Sequence, residues 1–139
     1  MRFMLLVKAT PQSEAGVLPD PSQFEAMGTF NESMVKAGVM LAGDGLQPSS
    51  KGARVRFTGG KPSVTDGPFT ETTELVAGYW IISAKSKEEA IAWVSRAPFD
   101  DAVVEVRRIY EADDFPADAF PPELRERAQA LHEEIQRKA

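Results

Sequence analysis

Apolar and polar positions follow two periods along the chain, and each period predicts a type of element. Residues 2–8 are apolar without interruption from Phe3 to Val7, which is typical of a strand covered on both faces. Further strands are predicted at 39–42, 54–58, 61–65, 76–82 and 103–109, and loops at 11–21 and 43–48. Tyr79 and Trp80 are expected to point to opposite faces of their strand. Gly59-Gly60 separates two of these strands and predicts a tight hairpin turn, because glycine accepts a positive φ at both positions.

Helical periodicity appears in three stretches. The first helix is predicted to begin at Asp20-Pro21, an N-cap followed by proline, and to end at Gly38. A capping box of Ser86 and Glu89 predicts the start of the second helix. The apolar arc of the first helix consists of Phe24, Met27, Phe30, Met34 and Val35, with the amide of Asn31 inside it. The third helix, at 123–138, is polar with one narrow apolar stripe.

The order of these elements predicts an α+β fold. With the hairpin set aside, strand-helix-strand occurs twice, which is the βαββαβ order of a ferredoxin-like fold. We therefore predict a domain at 1–110 that contains the inserted β-hairpin. Residues 111–139 form a linker and a C-terminal helix of the same domain. Two helices cover only one face of the sheet, so we expect a second copy to cover the other face in a homodimer.

Composition narrows the classes of function. The chain has 139 residues, no cysteine, a formal net charge of −5 and a pI of about 4.9. An acidic chain without a basic patch disfavours nucleic-acid binding. No apolar stretch is long enough to span a membrane, and the absence of cysteine suits a reducing compartment, so we expect a cytoplasmic protein.

The most distinctive local sequence is Asp66-Gly67-Pro68-Phe69, with Glu71 close behind it. Asp, Gly and Pro together predict a tight turn of fixed shape at the end of a strand. Two interpretations stay open. The segment is an architectural turn capped by Asp66, or it forms the rim of a ligand pocket.

Asp66-Gly67-Pro68-Phe69 resembles the signature of the DGPF proteins, a branch of the YCII-related family. The opening strand, the segment from Ala37 to Pro48, and the strand at 75–82 are also similar to that family. The resemblance covers roughly residues 1–110 and implies a dimeric α+β barrel. It also implies that some members are small enzymes and that DGPF proteins often accompany extracytoplasmic-function sigma factors.

The chain departs from the family at one important point. YCII-type relatives carry a His-Asp pair that is suggested to be catalytic, whereas the lone histidine of this chain, His132, lies in the C-terminal helix. A histidine-based mechanism therefore does not transfer. We expect no metal site and no cofactor, since the chain has no cysteine thiolate and only one histidine imidazole to serve as a ligand.

Two hypotheses for function follow. In the first, an isomerase or lyase transfers protons on a small polar or anionic molecule, with Asp66 or Asp44 as general acid or base. Other residues would bind the ligand: Asn31 or Arg54 would hold a charged or carbonyl group, and the walls and rim would consist of Gly67, Pro68, Phe69, Glu71, Tyr79 and Trp80. In the second, the protein binds a ligand or partner without catalysis, as a regulator beside an extracytoplasmic-function sigma factor.

Overall fold

A computed structural model describes all residues from Met1 to Ala139. Two compact units are distinguished, Met1–Arg108 and Ile109–Ala139, and each is described by itself. The elements of the first unit are β1 (Arg2–Lys8), α1 (Pro11–Glu14), α2 (Pro21–Lys36), β2 (Met40–Gly45), β3 (Ala53–Thr58), β4 (Lys61–Asp66), β5 (Val76–Ser83), α3 (Lys87–Val94) and β6 (Val104–Arg108). The second unit contains α4 (Pro122–Lys138).

Four strands form one antiparallel sheet in the order β2-β5-β1-β6. This is the strand order of the ferredoxin-like fold, so the predicted α+β class is confirmed. Strands β3 and β4 form a separate two-stranded sheet. Their turn is built as predicted, since Gly59 and Gly60 have φ angles of 58° and 80°.

The core lies on the face of the four-stranded sheet that α2 and α3 cover. Phe3 and Leu5 of β1 and Trp80 and Ile82 of β5 are buried there. Each such side chain contributes roughly 2 kcal/mol by its removal from water. They pack with α-helical residues, namely Phe30, Met34 and Ala90.

The predicted apolar arc of α2 is only partly buried. Phe30 and Met34 are buried, and Met27 is partly buried against the core. Phe24 and Val35, in contrast, are 60% and 61% exposed. The predicted arc is therefore buried at its centre and exposed at Phe24 and Val35.

The opposite face of the sheet carries the alternate residues of the same strands, and no helix of the first unit packs on it. Met4 and Leu6 of β1 and Tyr79 and Ile81 of β5 are half-buried on this open face. The hairpin is more exposed still, since Val55, Phe57 and Val64 are each more than half exposed.

Three local predictions needed correction. Strand β2 continues to Gly45, so Asp44 lies in a strand and not in a loop. The predicted loop at 11–21 contains the short helix α1, which Thr10 and Ser13 cap reciprocally. The predicted capping box of α3 is only half formed, because Glu89 accepts from the Lys85 amide instead of the Ser86 amide.

The second unit consists of a folded linker and α4. Arg125 of α4 donates to the Phe115 and Phe120 carbonyl oxygens and pairs with Asp113. Tyr110 stacks on Phe115. The stripe residues Leu124, Leu131 and Ile135 are exposed. His132 is also exposed.

No helix in the chain is long and apolar enough to cross a membrane.

Candidate functional site

Tyr79 and Trp80 are neighbours on β5 and point to opposite faces of the sheet, as the alternation predicted. Trp80 is only 6% exposed and donates its indole N–H to Asn31 Oδ1 at 3.0 Å. The amide of Asn31 therefore satisfies a buried donor. A Cβ at Gly43, which pairs with Trp80 across the strands, would lie 2.6 Å from the indole ring. This glycine is needed because the indole occupies the space of a side chain.

On the open face, Tyr79 donates its phenolic O–H to Asp44 Oδ2 at 3.1 Å. The hydrogen bond to Asp44 and the negative charge of that carboxylate raise the pKa of Tyr79 above its usual value of 10.0. The phenol is therefore held in its protonated form at neutral pH. Because Asp44 is exposed, the pair is accessible to a molecule that approaches the open face.

The signature loop packs against the turn at Ser49–Lys51. The Phe69 amide donates to Ser49 Oγ at 3.0 Å, and Ser49 in turn donates from its hydroxyl and its amide to the Glu14 carboxylate. These two bonds from Ser49 lower the pKa of Glu14. A Cβ at Gly67 would collide with the Ser49 carbonyl oxygen. The loop thus has a fixed shape for internal reasons, which favours the architectural interpretation.

Arg54 of the hairpin joins the signature loop. Its guanidinium lies 3.8 Å from the centre of the Phe69 ring and 3.6 Å from the Glu71 carboxylate. Arg54, Phe69 and Glu71 therefore form one cluster, although about half of each charged side chain remains exposed. Asp66 ends β4 as an exposed carboxylate, and no hydrogen bond or ion pair joins it to Asp44.

A large cavity of the first unit lies elsewhere. It is an open cleft of about 1310 Å³ where β1 ends, β5 and β6 begin, and α2 starts. Apolar walls come from Phe24 and Met27 of α2 and from Phe99 and Val103 before β6. Phe99 also contacts Trp80 edge to face at 6.2 Å between ring centres, so this wall is connected to the core.

The cleft is lined by more negative than positive charge. Its carboxylates are those of Glu74, Asp100, Asp101 and Glu105. Lys8 is the one cationic side chain of the lining, and its ammonium lies 3.6 Å from the Glu105 carboxylate. A hydrogen bond from Arg107 and the charge of Lys8 lower the pKa of Glu105, so this carboxylate stays ionised.

None of the predicted site residues lines this cleft. They fall into separate groups instead. Asn31 bonds to Trp80 in the core, and Asp44 bonds to Tyr79 on the open face. Beside the signature turn, which Gly67 and Pro68 form, lies the cluster of Arg54, Phe69 and Glu71. Sequence reasoning missed Phe24 and Phe99 as cleft walls. The adjacent acids Asp100 and Asp101 were a visible signal, but their position relative to α2 depends on the fold.

No group of three or more histidine, cysteine, aspartate or glutamate side chains is arranged to hold a metal ion.

The chain is similar to a curated relative, to a solved structure and to a family model. An uncharacterized protein of Rhizobium meliloti (strain 1021) is 32% identical over 65 residues, which is 47% of this chain and 52% of that protein. The chain thus spans about half the length of this curated relative. A solved structure of 5-chloro-2-hydroxyhydroquinone dehydrochlorinase from Burkholderia phenoliruptrix AC1100, in complex with 2,5-dihydroxybenzoquinone, is 16% identical with a TM-score of 0.47. The match covers 84% of this chain and 100% of that chain. Residues 1–113 match the YCII-related domain, so the chain belongs to the YCII-related family.

Proposed function

We propose that this protein binds a small molecule in the cleft between the start of α2 and the loop before β6. The observation that carries this proposal is a cleft of about 1310 Å³ with aromatic walls that remain accessible to solvent. Phe24 is 60% exposed and Phe99 is 37% exposed. Exposed apolar surface inside a concave site with a few polar groups is typical of ligand binding.

A filling substitution tests the site. Ala26 lines the cleft, and Ala26→Trp fills part of its volume without adding charge. Ala92→Trp is the matched control, because Ala92 is an exposed helical alanine of α3 outside the cleft. We expect a panel of small aromatic acids, alcohols and amines to contain ligands that shift the NMR signals of cleft residues. Ala26→Trp should weaken their binding about tenfold or more, while Ala92→Trp leaves it unchanged.

Two results would contradict this proposal. In one, no member of the panel shifts signals of cleft residues in the native protein. In the other, compounds bind with the same affinity to native protein, Ala26→Trp and Ala92→Trp, which places their binding elsewhere.

A second candidate function is proton transfer at Asp44 and Tyr79. It is favoured by the 3.1 Å hydrogen bond between them and by the raised pKa of Tyr79. Asp44 acts as general base in this candidate, and the protonated phenol orients it or donates to a carbonyl oxygen. The expected result is exchange of α-hydrogens of small ketones and keto acids in deuterated water. Asp44→Asn abolishes that exchange, whereas Asp66→Asn, an exposed carboxylate on the other sheet, retains it. Equal exchange by both variants would exclude the Asp44 mechanism.

A homodimer is part of the first proposal, the ligand cleft, and is an alternative to the second candidate, because a copy packed on Leu6 would also cover its cross-strand neighbour Tyr79. The half-buried apolar residues of the open face, Met4, Leu6 and Ile81, support a second copy packed on that face. Leu6→Lys is expected to give the monomer mass in light scattering after gel filtration. Leu18→Lys, at a loop position that is 79% exposed, should retain the dimer mass. A monomer mass for the native protein would contradict the inference.

The regulatory alternative stays a prediction that rests on the family resemblance. Co-purification of the tagged protein with an extracytoplasmic-function sigma factor from the source organism would support it, and a sigma factor that elutes separately would contradict it.

A further inference from the structure

We infer that the cleft selects small organic cations that carry an apolar group, of the arylalkylammonium class. This inference rests on the proposed function, because it names the ligand chemistry of that same cleft. It differs from the expectation of a polar or anionic ligand, which came from the arginine residues of the hairpin.

The charge of the lining is the first reason. Four carboxylates line the cleft, and because Glu105 is paired with Lys8, those of Glu74, Asp100 and Asp101 remain as an excess of negative charge. Two of those carboxylates, Asp100 and Asp101, are adjacent in the exposed loop before β6. A concave site lined by one sign of charge raises the local concentration of the opposite charge. A cation is therefore attracted to the cleft, and an anion is repelled.

The positive groups near the cleft are already occupied, which is the second reason. Lys8 is paired with Glu105. The N-terminus of α2 is usually a favourable place for an anion, but Asp20 fills it. Its carboxylate accepts from the Gln23 amide at 3.0 Å and from the Ser22 hydroxyl at 2.6 Å. These bonds lower the pKa of Asp20, which keeps a further negative charge beside the cleft.

The aromatic walls are the third reason. Phe24 and Phe99 line the cleft together with the thioether of Met27. The face of an aromatic ring attracts a cation electrostatically, which raises affinity about two- to fivefold at an exposed site. The same rings bury the apolar part of the ligand. A hydrated inorganic cation uses neither property, so the combination favours an organic one.

Three compounds of similar size test the inference by changing only the charge. They are 2-phenylethylammonium, neutral 2-phenylethanol and anionic phenylacetate, each titrated into the native protein and followed by NMR shifts of cleft residues. We expect the cation to bind about tenfold more tightly than the anion, with the alcohol between them. Added salt should weaken the cation selectively, because the carboxylates are exposed and screened.

Variants without the loop carboxylates then test whether these charges cause the preference for the cation. Asp100→Asn together with Asp101→Asn should reduce the affinity for the cation about three- to tenfold and leave the alcohol unchanged. The matched control is Asp118→Asn with Glu126→Gln, which removes two exposed carboxylates of the second unit.

The outcomes separate the two proposals. Cation preference that is lost only in the cleft variant supports the inference. If Ala26→Trp abolishes binding, but the three compounds bind equally or phenylacetate binds most tightly, the inference is overturned and the proposed function stands. Binding of none of these compounds, together with no cleft ligand in the wider panel, would overturn both.

Discussion

Two adjacent aromatic residues of β5 make the same kind of hydrogen bond on opposite faces of one sheet. Trp80 donates to Asn31 at 3.0 Å on the helix-covered face, and Tyr79 donates to Asp44 at 3.1 Å on the open face. The distances hardly differ, but the surroundings do. Trp80 and its partner lie against the core, whereas Asp44 is exposed. Burial therefore decides what each pair contributes.

The physical difference lies in what replaces a lost partner. If the open-face pair breaks, water bonds to both groups, so its net contribution to stability is small. If the buried pair breaks, the indole N–H has no access to water and loses its bond outright. The core pair is thus an architectural element, while the open-face pair keeps its polar atoms available to a ligand.

The largest expected effect comes from the backbone opposite Trp80. Gly43→Ala places a methyl group 2.6 Å from the indole, so Trp80 or β2 must shift. We expect a loss of about 3 kcal/mol in the free energy of unfolding, measured with urea. Gly45→Ala in the same strand is the control, since nothing lies within 4 Å of its Cβ. Similar stabilities for the two variants would mean that the Trp80 site is not tightly packed.

The next effect concerns the acceptor of the buried pair. Asn31→Ala leaves the indole N–H without its partner and is expected to cost about 1–3 kcal/mol. Tryptophan fluorescence in a Trp93→Phe background, where Trp80 is the only tryptophan, should report a changed environment for Trp80. Glu32→Ala, at the next and exposed position of α2, should change stability by less than about 0.5 kcal/mol. If both variants are equally stable, the Asn31 bond contributes no more than a surface contact.

Part of this arrangement around β5 could be predicted from the sequence. Alternation along β5 correctly predicted that Tyr79 and Trp80 point in opposite directions, because a strand has a fixed period of two. The helix wheel placed Asn31 near the core, but its partner is 49 positions away and required the fold. Asp44 was assigned to a loop, whereas it lies in β2, where the Trp80 ring across the strands requires Gly43.

The candidate site was harder to predict than the fold. The signature turn is conspicuous in sequence, but its shape is fixed by Ser49 and Glu14, distant in the chain and unremarkable in pattern. The cleft is formed by Phe24 and Phe99, residues that resemble ordinary core positions when read alone. The distinctive motif therefore corresponds to a turn with strict backbone requirements. The cavity, in contrast, is formed by ordinary residues near the ends of strands and helices.

A smaller effect is expected on the open face. Tyr79→Phe removes the hydrogen bond to Asp44 but keeps the ring, so in the Leu6→Lys background, where the face is uncovered, the free energy of unfolding should change far less than after Asn31→Ala. Urea denaturation at several protein concentrations measures it. A larger cost in the native background that depends on protein concentration would support a second copy as the cover, whereas a cost as large as that of Asn31→Ala in the Leu6→Lys background would contradict the expected access of water to this pair.

The smallest expected change affects titration alone. Asp44→Asn removes the carboxylate whose hydrogen bond and charge raise the pKa of Tyr79, so that pKa should fall toward 10.0. The ultraviolet absorbance of the phenolate measures this pKa, in a Tyr110→Phe background that leaves Tyr79 as the only tyrosine. Asp66→Asn, in the other sheet, is the control and should leave the titration unchanged.

The direction of the Tyr79 pKa shift also sets the pH range in which the pair stabilises the fold. A raised pKa in the folded state means that the pair stabilises the fold fully below pH 10 and loses this contribution as pH rises through the folded pKa. Asp44→Asn should therefore flatten the dependence of stability on pH only on the alkaline side. An unchanged Tyr79 titration would mean that water, and not Tyr79, occupies the Asp44 carboxylate in solution, and the open face would then offer a free general base in place of a pair.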